Sequence, residues 1–342
     1  MKQTVKWLAA ALIALGLNQA AWADDVSDFR ENLQAAAQGN AAAQFNLGVM
    51  YENGQGVRQD YVQAVQWYRK ASEQGDAQAQ FNLGVMYAEG QGVRQDYVEA
   101  VKWFRQAADQ GLAQAQYNLG LMYGTGRGVH QDDAEAVRWY RQAAEQGYAV
   151  AQTNLGLMYG TGRGVRQDDA EAVRWYRQAA AQRDAAAQTN LGGMYKDGRG
   201  VRQDDAEAVR WYRQAVAQGL AQAQFNLGNM YANGRGVRRD DAEAVKWYRQ
   251  AAEQGLAQAQ NNLGVAYENG QGVRQDDAEA VRWYRQAAEQ GLAQAQFNLG
   301  GMYAEGRGVL QDLALAQEWY GKACDNGNQD GCDNYQRLKA GY

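Results

Sequence analysis

The sequence repeats itself every 36 residues. The triplet Asn-Leu-Gly occurs eight times at this interval without insertion or deletion, and eight tryptophans keep the same step from Trp67 to Trp319. A period of about 20 to 50 residues is typical of chains that stack similar units, because one such unit is too small to bury its own apolar side chains. The period therefore predicts an array of units. The triplets begin at Asn46, Asn82, Asn118, Asn154, Asn190, Asn226, Asn262 and Asn298.

The first half of each unit predicts a helix, called helix A below. In residues 77–87, Leu83, Met86 and Tyr87 recur at helical spacing, and Gly90 follows where a helix often ends in a left-handed turn. The whole chain contains no proline and 40 glycines, so its turns are expected to rest on glycine.

The second half of each unit predicts a second helix, called helix B. Asp276 is a typical N-cap residue, and Glu279 three positions later gives a capping-box pattern. Trp283 and Tyr284 lie on one broad apolar face, and Gly291 follows the last turn. A helix pair of this kind needs neighbours to cover its apolar faces, so we expect an all-α stack of helix pairs.

This unit resembles the Sel1-like repeat, a relative of the tetratricopeptide repeat. The shared pattern is A-x-A-Q-x-N-L-G-x-M-Y-x-x-G-x-G-V-x-Q-D followed by A-V-x-W-Y-R-x-A-A-x-Q-G. The resemblance implies a right-handed α/α superhelical solenoid of eight 36-residue helix-turn-helix repeats. The expected repeats are residues 41–76, 77–112, 113–148, 149–184, 185–220, 221–256, 257–292 and 293–328.

The two ends of such a stack need caps, because terminal repeats otherwise expose apolar faces. We expect residues 24–40 to form an N-terminal capping helix that resembles helix B, and residues 329–342 to form a C-terminal capping helix that resembles helix A. The inward-facing residues expected are Phe29, Leu33, Ala36 and Ala37 at the first end and Tyr335 and Leu338 at the other.

The first 23 residues have the form of a secretory signal peptide. Lys2 and Lys6 precede an apolar run at residues 7–17, and an A-x-A box places the expected cleavage between Ala23 and Asp24. An uncleaved amphipathic helix is the alternative. No other long apolar segment follows, so the mature chain is expected to be exported without a transmembrane segment, to a bacterial periplasm first and to the outside as the second destination.

Three positions of helix A change from repeat to repeat: the fifth, the ninth and the twelfth. Their spacing of four and then three residues places them on one face of the helix. In proteins that resemble tetratricopeptide arrays, helix A lines the concave surface, so this face is expected to bind protein or peptide partners. The residues chosen from it, called the helix-A stripe, are Phe45, Val49, Phe81, Val85, Tyr117, Leu121, Thr153, Leu157, Thr189, Lys196, Phe225, Asn229, Asn261, Val265 and Phe297.

An alternative explanation for the helix-A stripe involves no binding at all. The residues at the variable positions would then differ between repeats without any functional role, or their aromatic rings would pack against the preceding helix B. Aromatic side chains exposed in a concave surface are the usual residues of binding hot spots, and on that ground the binding interpretation is favoured.

No other motif in the chain points to catalysis, a cofactor or nucleic acid. GTGRGV at residues 124–129 follows a helix, whereas a phosphate-binding loop follows a strand. The recurring Asp-Asp pairs fit helix caps better than calcium ligands, and His130 stands alone without a partner motif. The net charge is −5 with both signs interleaved, which argues against nucleic-acid binding. We therefore expect no metal, no cofactor and no enzymatic activity.

Some cysteine-rich Sel1-like proteins have been linked to β-lactam binding or hydrolysis, and a cell-wall or β-lactam-directed protein is the alternative function. Ser27 and Ser72 are the only serines, and neither begins a Ser-x-x-Lys motif. The spacing of Cys324 and Cys332 resembles that of the disulfide in this family. In an exported chain a disulfide is the favoured state, with free thiols or a metal site as alternatives. The favoured function is a scaffold for envelope assembly, signalling or contact with host cells.

Overall fold

The structure is a computed structural model that describes residues 24–341, and over this range all regular secondary structure is helical. The expected signal peptide, residues 1–23, lies outside the described residues. The chain divides into two compact units, Met1–Asp168 and Asp169–Tyr342. In the first unit, α1 covers residues 24–37. It is followed by α2 (Ala41–Asn53), α3 (Tyr61–Glu73), α4 (Ala77–Glu89), α5 (Tyr97–Asp109), α6 (Ala113–Thr125), α7 (Asp133–Glu145) and α8 (Ala149–Thr161).

The second unit continues the alternation of helix A and helix B. Helices with even numbers are helices A and those with odd numbers are helices B, apart from the two terminal helices. The second unit contains α9 (Asp169–Ala181), α10 (Ala185–Asp197), α11 (Asp205–Val216), α12 (Ala221–Asn233), α13 (Asp241–Glu253), α14 (Ala257–Asn269), α15 (Asp277–Glu289), α16 (Ala293–Glu305), α17 (Leu313–Asp325) and α18 (Gln329–Lys339). Among the described helices, none has the length and apolar character needed to cross a membrane.

Constant residues of each repeat bury one another across successive helices. Tyr68 of α3 packs with Leu83 and Met86 of α4 in one apolar cluster. The tryptophans join neighbouring repeats, as predicted: Trp139 of α7 packs on the cluster built by α5 and α6 and is 5% exposed. Within each unit, the chain thus forms the α/α solenoid fold of 36-residue helix pairs that the sequence predicts.

A glutamine of helix A forms a ladder of buried hydrogen bonds along each unit. Gln80, 4% exposed, donates from Nε2 to the Ser72 carbonyl of the preceding repeat at 3.3 Å. Its Oε1 accepts from Gln110 at the end of the following helix B at 2.7 Å. Both ends of the buried amide are therefore satisfied, which removes the cost of desolvating it. The other such bonds run from Gln74 to Gln44, Gln146 to Gln116, Gln218 to Gln188, Gln254 to Gln224 and Gln290 to Gln260.

The predicted helix caps are formed, but only half of the capping box is. The Asp132 carboxylate accepts from the backbone amides of Ala134 and Glu135 at 2.9 and 3.0 Å. The backbone amide of Asp132 donates to the Tyr123 carbonyl at 2.9 Å, so it is already used by the end of helix A. The Glu135 side chain pairs with Arg138 at 3.2 Å instead of closing the box.

The terminal helices pack on the first and the last apolar cluster, with one difference from the expected inward faces. In α1, Phe29 and Ala36 pack on the first apolar cluster, whereas Leu33 is 40% exposed and Ala37 is exposed, so the predicted inward face was too wide. In α18, Tyr335 packs on the last cluster, together with Leu338. The two cysteines form a disulfide between α17 and α18, with their Cα atoms 4.5 Å apart; it joins Cys324 to Cys332.

Arg183 is the one described residue other than glycine with a positive φ, at 67°. Seven sister repeats have glycine at this place, for example Gly219 with φ 81°. Because a left-handed conformation strains a residue that carries a Cβ atom, Arg183→Gly is expected to stabilise the protein by about 0.5–1 kcal/mol. The check is the midpoint of denaturant unfolding at unchanged slope. Gly219→Arg, the matched control, should shift the midpoint down, and a downward shift for Arg183→Gly would contradict the argument.

Candidate functional site

The ninth position of helix A lies at the surface in both units. In the first unit, its side chains are apolar, and Leu157 is 46% exposed while the others are half-buried. In the second unit, Asn229 and Val265 are half-buried and glycine occupies the position in α10 and α16. The neighbouring positions that do not vary are buried. The residues of this row in the first unit, called the apolar row below, are Val49, Val85, Leu121 and Leu157.

The fifth position is less exposed than the binding interpretation expects. Its aromatic rings are half-buried and tilted against a ring on helix B of the same repeat, as with Phe45 and Tyr68, whose centroids lie 5.9 Å apart. The alternative had placed them against the preceding helix B, whereas these partners follow in the chain. The remaining pairs are Phe81 with Phe104, Tyr117 with Tyr140, Phe225 with Tyr248 and Phe297 with Tyr320.

Three polar residues of the helix-A stripe lie below the surface. Thr153 and Thr189 are 6% and 5% exposed, and their hydroxyls donate to backbone carbonyls of their own helices at 3.1 and 2.8 Å. Asn261 is 8% exposed and accepts from Asn298 at 3.0 Å. Lys196 is half-buried beside Asp197. The accessible side chains of the helix-A stripe are therefore those at the ninth position. The side chains at the fifth position lie deeper and are half-buried or buried.

Tyrosines of helix B lie beneath the stripe and stay protonated. Burial raises the pKa of Tyr140 and of Tyr176 to about 12. Burial, reinforced by a hydrogen bond to Glu52, raises the pKa of Tyr68 further, and Tyr284 with Glu268 behaves in the same way. At neutral pH these hydroxyls stay protonated, and those of Tyr68 and Tyr284 donate to Glu52 and Glu268 at the twelfth position of helix A.

A loop arginine links four pairs of neighbouring repeats. Arg163 donates to both carboxylate oxygens of Asp133, the first residue of α7, at 2.7 and 3.3 Å. Arg199 with Asp169, Arg235 with Asp205 and Arg307 with Asp277 repeat this geometry. The sequence interpretation missed these pairs, although an aspartate 30 residues before each arginine was the available signal. Two aspartates at this position are followed 30 residues later by glutamine in place of the arginine: Asp241 by Gln271 between two repeats, and Asp25 of α1 by Gln55.

The glycine loop at residues 124–129 and the single histidine were considered above as nucleotide-binding and metal-binding candidates. The loop at residues 124–129 continues from α6 through a left-handed Gly126, and His130 is exposed. Over residues 24–341, no group of three or more His, Cys, Asp or Glu side chains is placed to hold a metal ion.

Comparison with known proteins assigns the repeats to one family. The Sel1 repeat model matches residues 41–76, 77–112, 113–148, 149–184, 185–220, 221–256, 257–292 and 293–328. No curated protein matches the chain.

Two solved structures share both the fold and considerable sequence. The first is c5321, described as a protective antigen present in uropathogenic Escherichia coli strains that displays an SLR fold. It is 40% identical with a TM-score of 0.77, over 91% of this chain and 67% of that one. The second is a Sel1 repeat protein from Oxalobacter formigenes, 37% identical with a TM-score of 0.70, over 90% of this chain and 89% of that one.

Proposed function

Because this chain belongs to the Sel1 repeat family, whose members are typically non-enzymatic binding scaffolds, we propose that it is an exported scaffold for protein partners. It binds an apolar segment of its partner along the helix-A stripe, and first of all along the apolar row of the first unit. Its place of action is the bacterial periplasm, where it supports envelope assembly, signalling or, after release, contact with host cells.

The apolar row is the observation that carries this proposal. The same position of four successive helices A presents Val49, Val85, Leu121 and Leu157 at the surface. Burying one such side chain against a partner stabilises a complex by about 1.5–3 kcal/mol when the side chain starts fully exposed, and by a fraction of that when it is half-buried. Four apolar side chains at the same position of successive repeats let these contributions add along one partner segment, which a scattered set would not.

Three observations support export. Residues 1–23 have a basic start, an apolar centre and a small-residue cleavage box. The disulfide between Cys324 and Cys332 suits an oxidising compartment, since cytosolic thiols are kept reduced. The description of c5321 as a protective antigen is also consistent with an exported relative.

Photo-cross-linking in cells tests the binding face. A benzophenone amino acid is placed at Leu121 on the apolar row or at Arg138, which is 60% exposed on helix B of the same repeat. We expect discrete protein adducts from Leu121 at least fivefold stronger than from Arg138, since only the first lies on the proposed face. Equal adducts from both positions, or none from Leu121, would reject the helix-A stripe.

The same preparation tests export. Intact mass of the protein from the periplasmic fraction should correspond to a chain that begins at Asp24. Recovery of the full-length chain in the cytoplasmic fraction alone would reject export while leaving the binding face to be judged by its own adducts.

A further inference from the structure

Four junctions between repeats are filled by the protein's own guanidinium groups. In each, a loop arginine reaches back to the aspartate that begins helix B of the preceding repeat. At one of them, Arg235 donates to Asp205 at 2.7 Å and also to the Lys196 carbonyl at 2.9 Å. The groove between two repeats is thus built to bind a planar, positively charged group with several donors.

The junction between the sixth and seventh repeats has the aspartate without that arginine. Gln271 occupies the place of the arginine, and a cavity of about 260 Å³ lies beside it. Asp241 lines this cavity together with Asn229 and with Ala232, the counterpart of Lys196. The volume is compatible with a guanidinium and the last carbons of an arginine side chain, which is what the other junctions contain.

The wall of the cavity carries one carboxylate, that of Asp241. Asn229 Oδ1 accepts from the Tyr248 hydroxyl at 2.7 Å and from Asn262 at 3.3 Å, which orients the amide, so the charged acceptor for a cation is Asp241. The two carboxylate oxygens of Asp241 accept from Nε and Nη2 of Arg239, both at 3.0 Å, and the Arg239 side chain is 63% exposed. An exposed pair of this kind is weak, and a carboxylate has about four lone-pair directions, so Asp241 retains the capacity to accept a second guanidinium.

We propose that this cavity binds the guanidinium of an arginine side chain supplied by a protein partner, in the place that four other junctions fill from within the chain. The site lies on the helix-A stripe, because Asn229 and Val265 both line it. The inference therefore deepens the proposed function: the partner segment carries an arginine that anchors it in the second unit.

The test titrates N-acetyl-arginine amide into the mature, isotope-labelled full chain and follows amide chemical shifts. We expect saturable shifts around α12 to α14 with a dissociation constant on the order of millimolar, as suits a fragment of this size. The citrulline analogue, which has the same shape without the charge, should bind at least tenfold more weakly. Asp241→Asn should weaken arginine binding to a similar extent.

Gln271→Arg is the decisive variant, because it supplies the residue of the other junctions and should close the site without unfolding the repeat. It should abolish binding of the probe while leaving the unfolding midpoint unchanged or higher. Gln91→Arg is its matched control: it adds the same charge at a junction where Tyr61 stands in the place of the aspartate, and binding should persist.

The outcomes separate this site from the wider function. Equal binding of arginine and citrulline, or full binding to Gln271→Arg, would overturn the proposed site even if cross-links from the apolar row identify a partner. Loss of binding confined to Asp241→Asn and Gln271→Arg would establish the site even if those cross-links are absent.

Discussion

Replacing Gly192 by alanine is expected to destabilise the protein by about 2–3 kcal/mol, whereas the same change at the next residue, Gly193, should stabilise it by about 0.5–1 kcal/mol. A Cβ atom on Gly192 would lie 2.6 Å from Cε1 of Tyr212, in the contact between α10 and α11. A Cβ atom on Gly193 would meet only the Tyr212 hydroxyl at 3.9 Å. Only the helix propensity of alanine then acts at Gly193, while at Gly192 the two helices must move apart.

This pair of variants is read by denaturant unfolding and by hydrogen exchange in α10 and α11. Exchange locates the effect, because a repeat array can lose one region without unfolding as a whole. Two variants that shift the unfolding midpoint in the same direction would contradict the close contact of the helices. Comparable glycines meet a ring in other repeats, for example Gly84 against Phe104 and Gly228 against Tyr248.

Replacing Gly164 by alanine is expected to cost about 3–4 kcal/mol, the largest single effect that we predict. Gly164 has a φ of 64°, and its Cβ atom would collide with the carbonyl group of Asp133 at the start of α7 in the preceding repeat. That neighbour is backbone and cannot rotate away. Gly147 has a φ of 88° but meets nothing within 4 Å, so Gly147→Ala should cost only the net conformational strain of about 0.5–1 kcal/mol that is expected for Arg183 at the same position of the next repeat.

The difference between these two variants measures the contact between repeats. Thermal unfolding followed by circular dichroism should show a clearly lower midpoint for Gly164→Ala than for Gly147→Ala. If both variants lower the unfolding midpoint by the same amount, the positive φ alone explains why glycine is needed at these positions. The close approach of the loop to the preceding repeat would then have no energetic role.

The 36-residue period can be counted in the sequence itself. The helices and their N- and C-caps could be predicted because they depend on interactions within about ten residues. Asp132 accepts from the first turn of its own helix, and Gly126 ends the helix before it, so residue type alone indicates both. The capping box was predicted too fully for a related reason. The sequence shows that Glu135 lies three residues after the N-cap, as a capping box requires. It does not show that the backbone amide of Asp132, which the Glu135 side chain would accept from, already donates to the Tyr123 carbonyl.

Polar contacts between helices were not predicted, because they depend on how one helix is placed on another. Gln80 in helix A and Gln110 at the end of helix B of one repeat are 30 residues apart, and a constant glutamine is equally compatible with a solvent-exposed helix face. The same limit applies to the helix-A stripe. Helical spacing shows that Phe45 and Val49 share a face, but the depth of Phe45 is set by Tyr68, which belongs to another helix.

The ladder of glutamines gives each unit a direction. Gln80, Gln116, Gln260 and Gln296 each donate to the repeat before them and accept from the end of the helix B that follows. A repeat held in this way fits between two others in one orientation and one register only. Gain or loss of 36 consecutive residues restores a complete junction wherever the cut falls, whereas a shorter change leaves a buried amide without its donor or acceptor. Duplication or excision of whole 36-residue modules is thus the change in length that leaves these junctions complete.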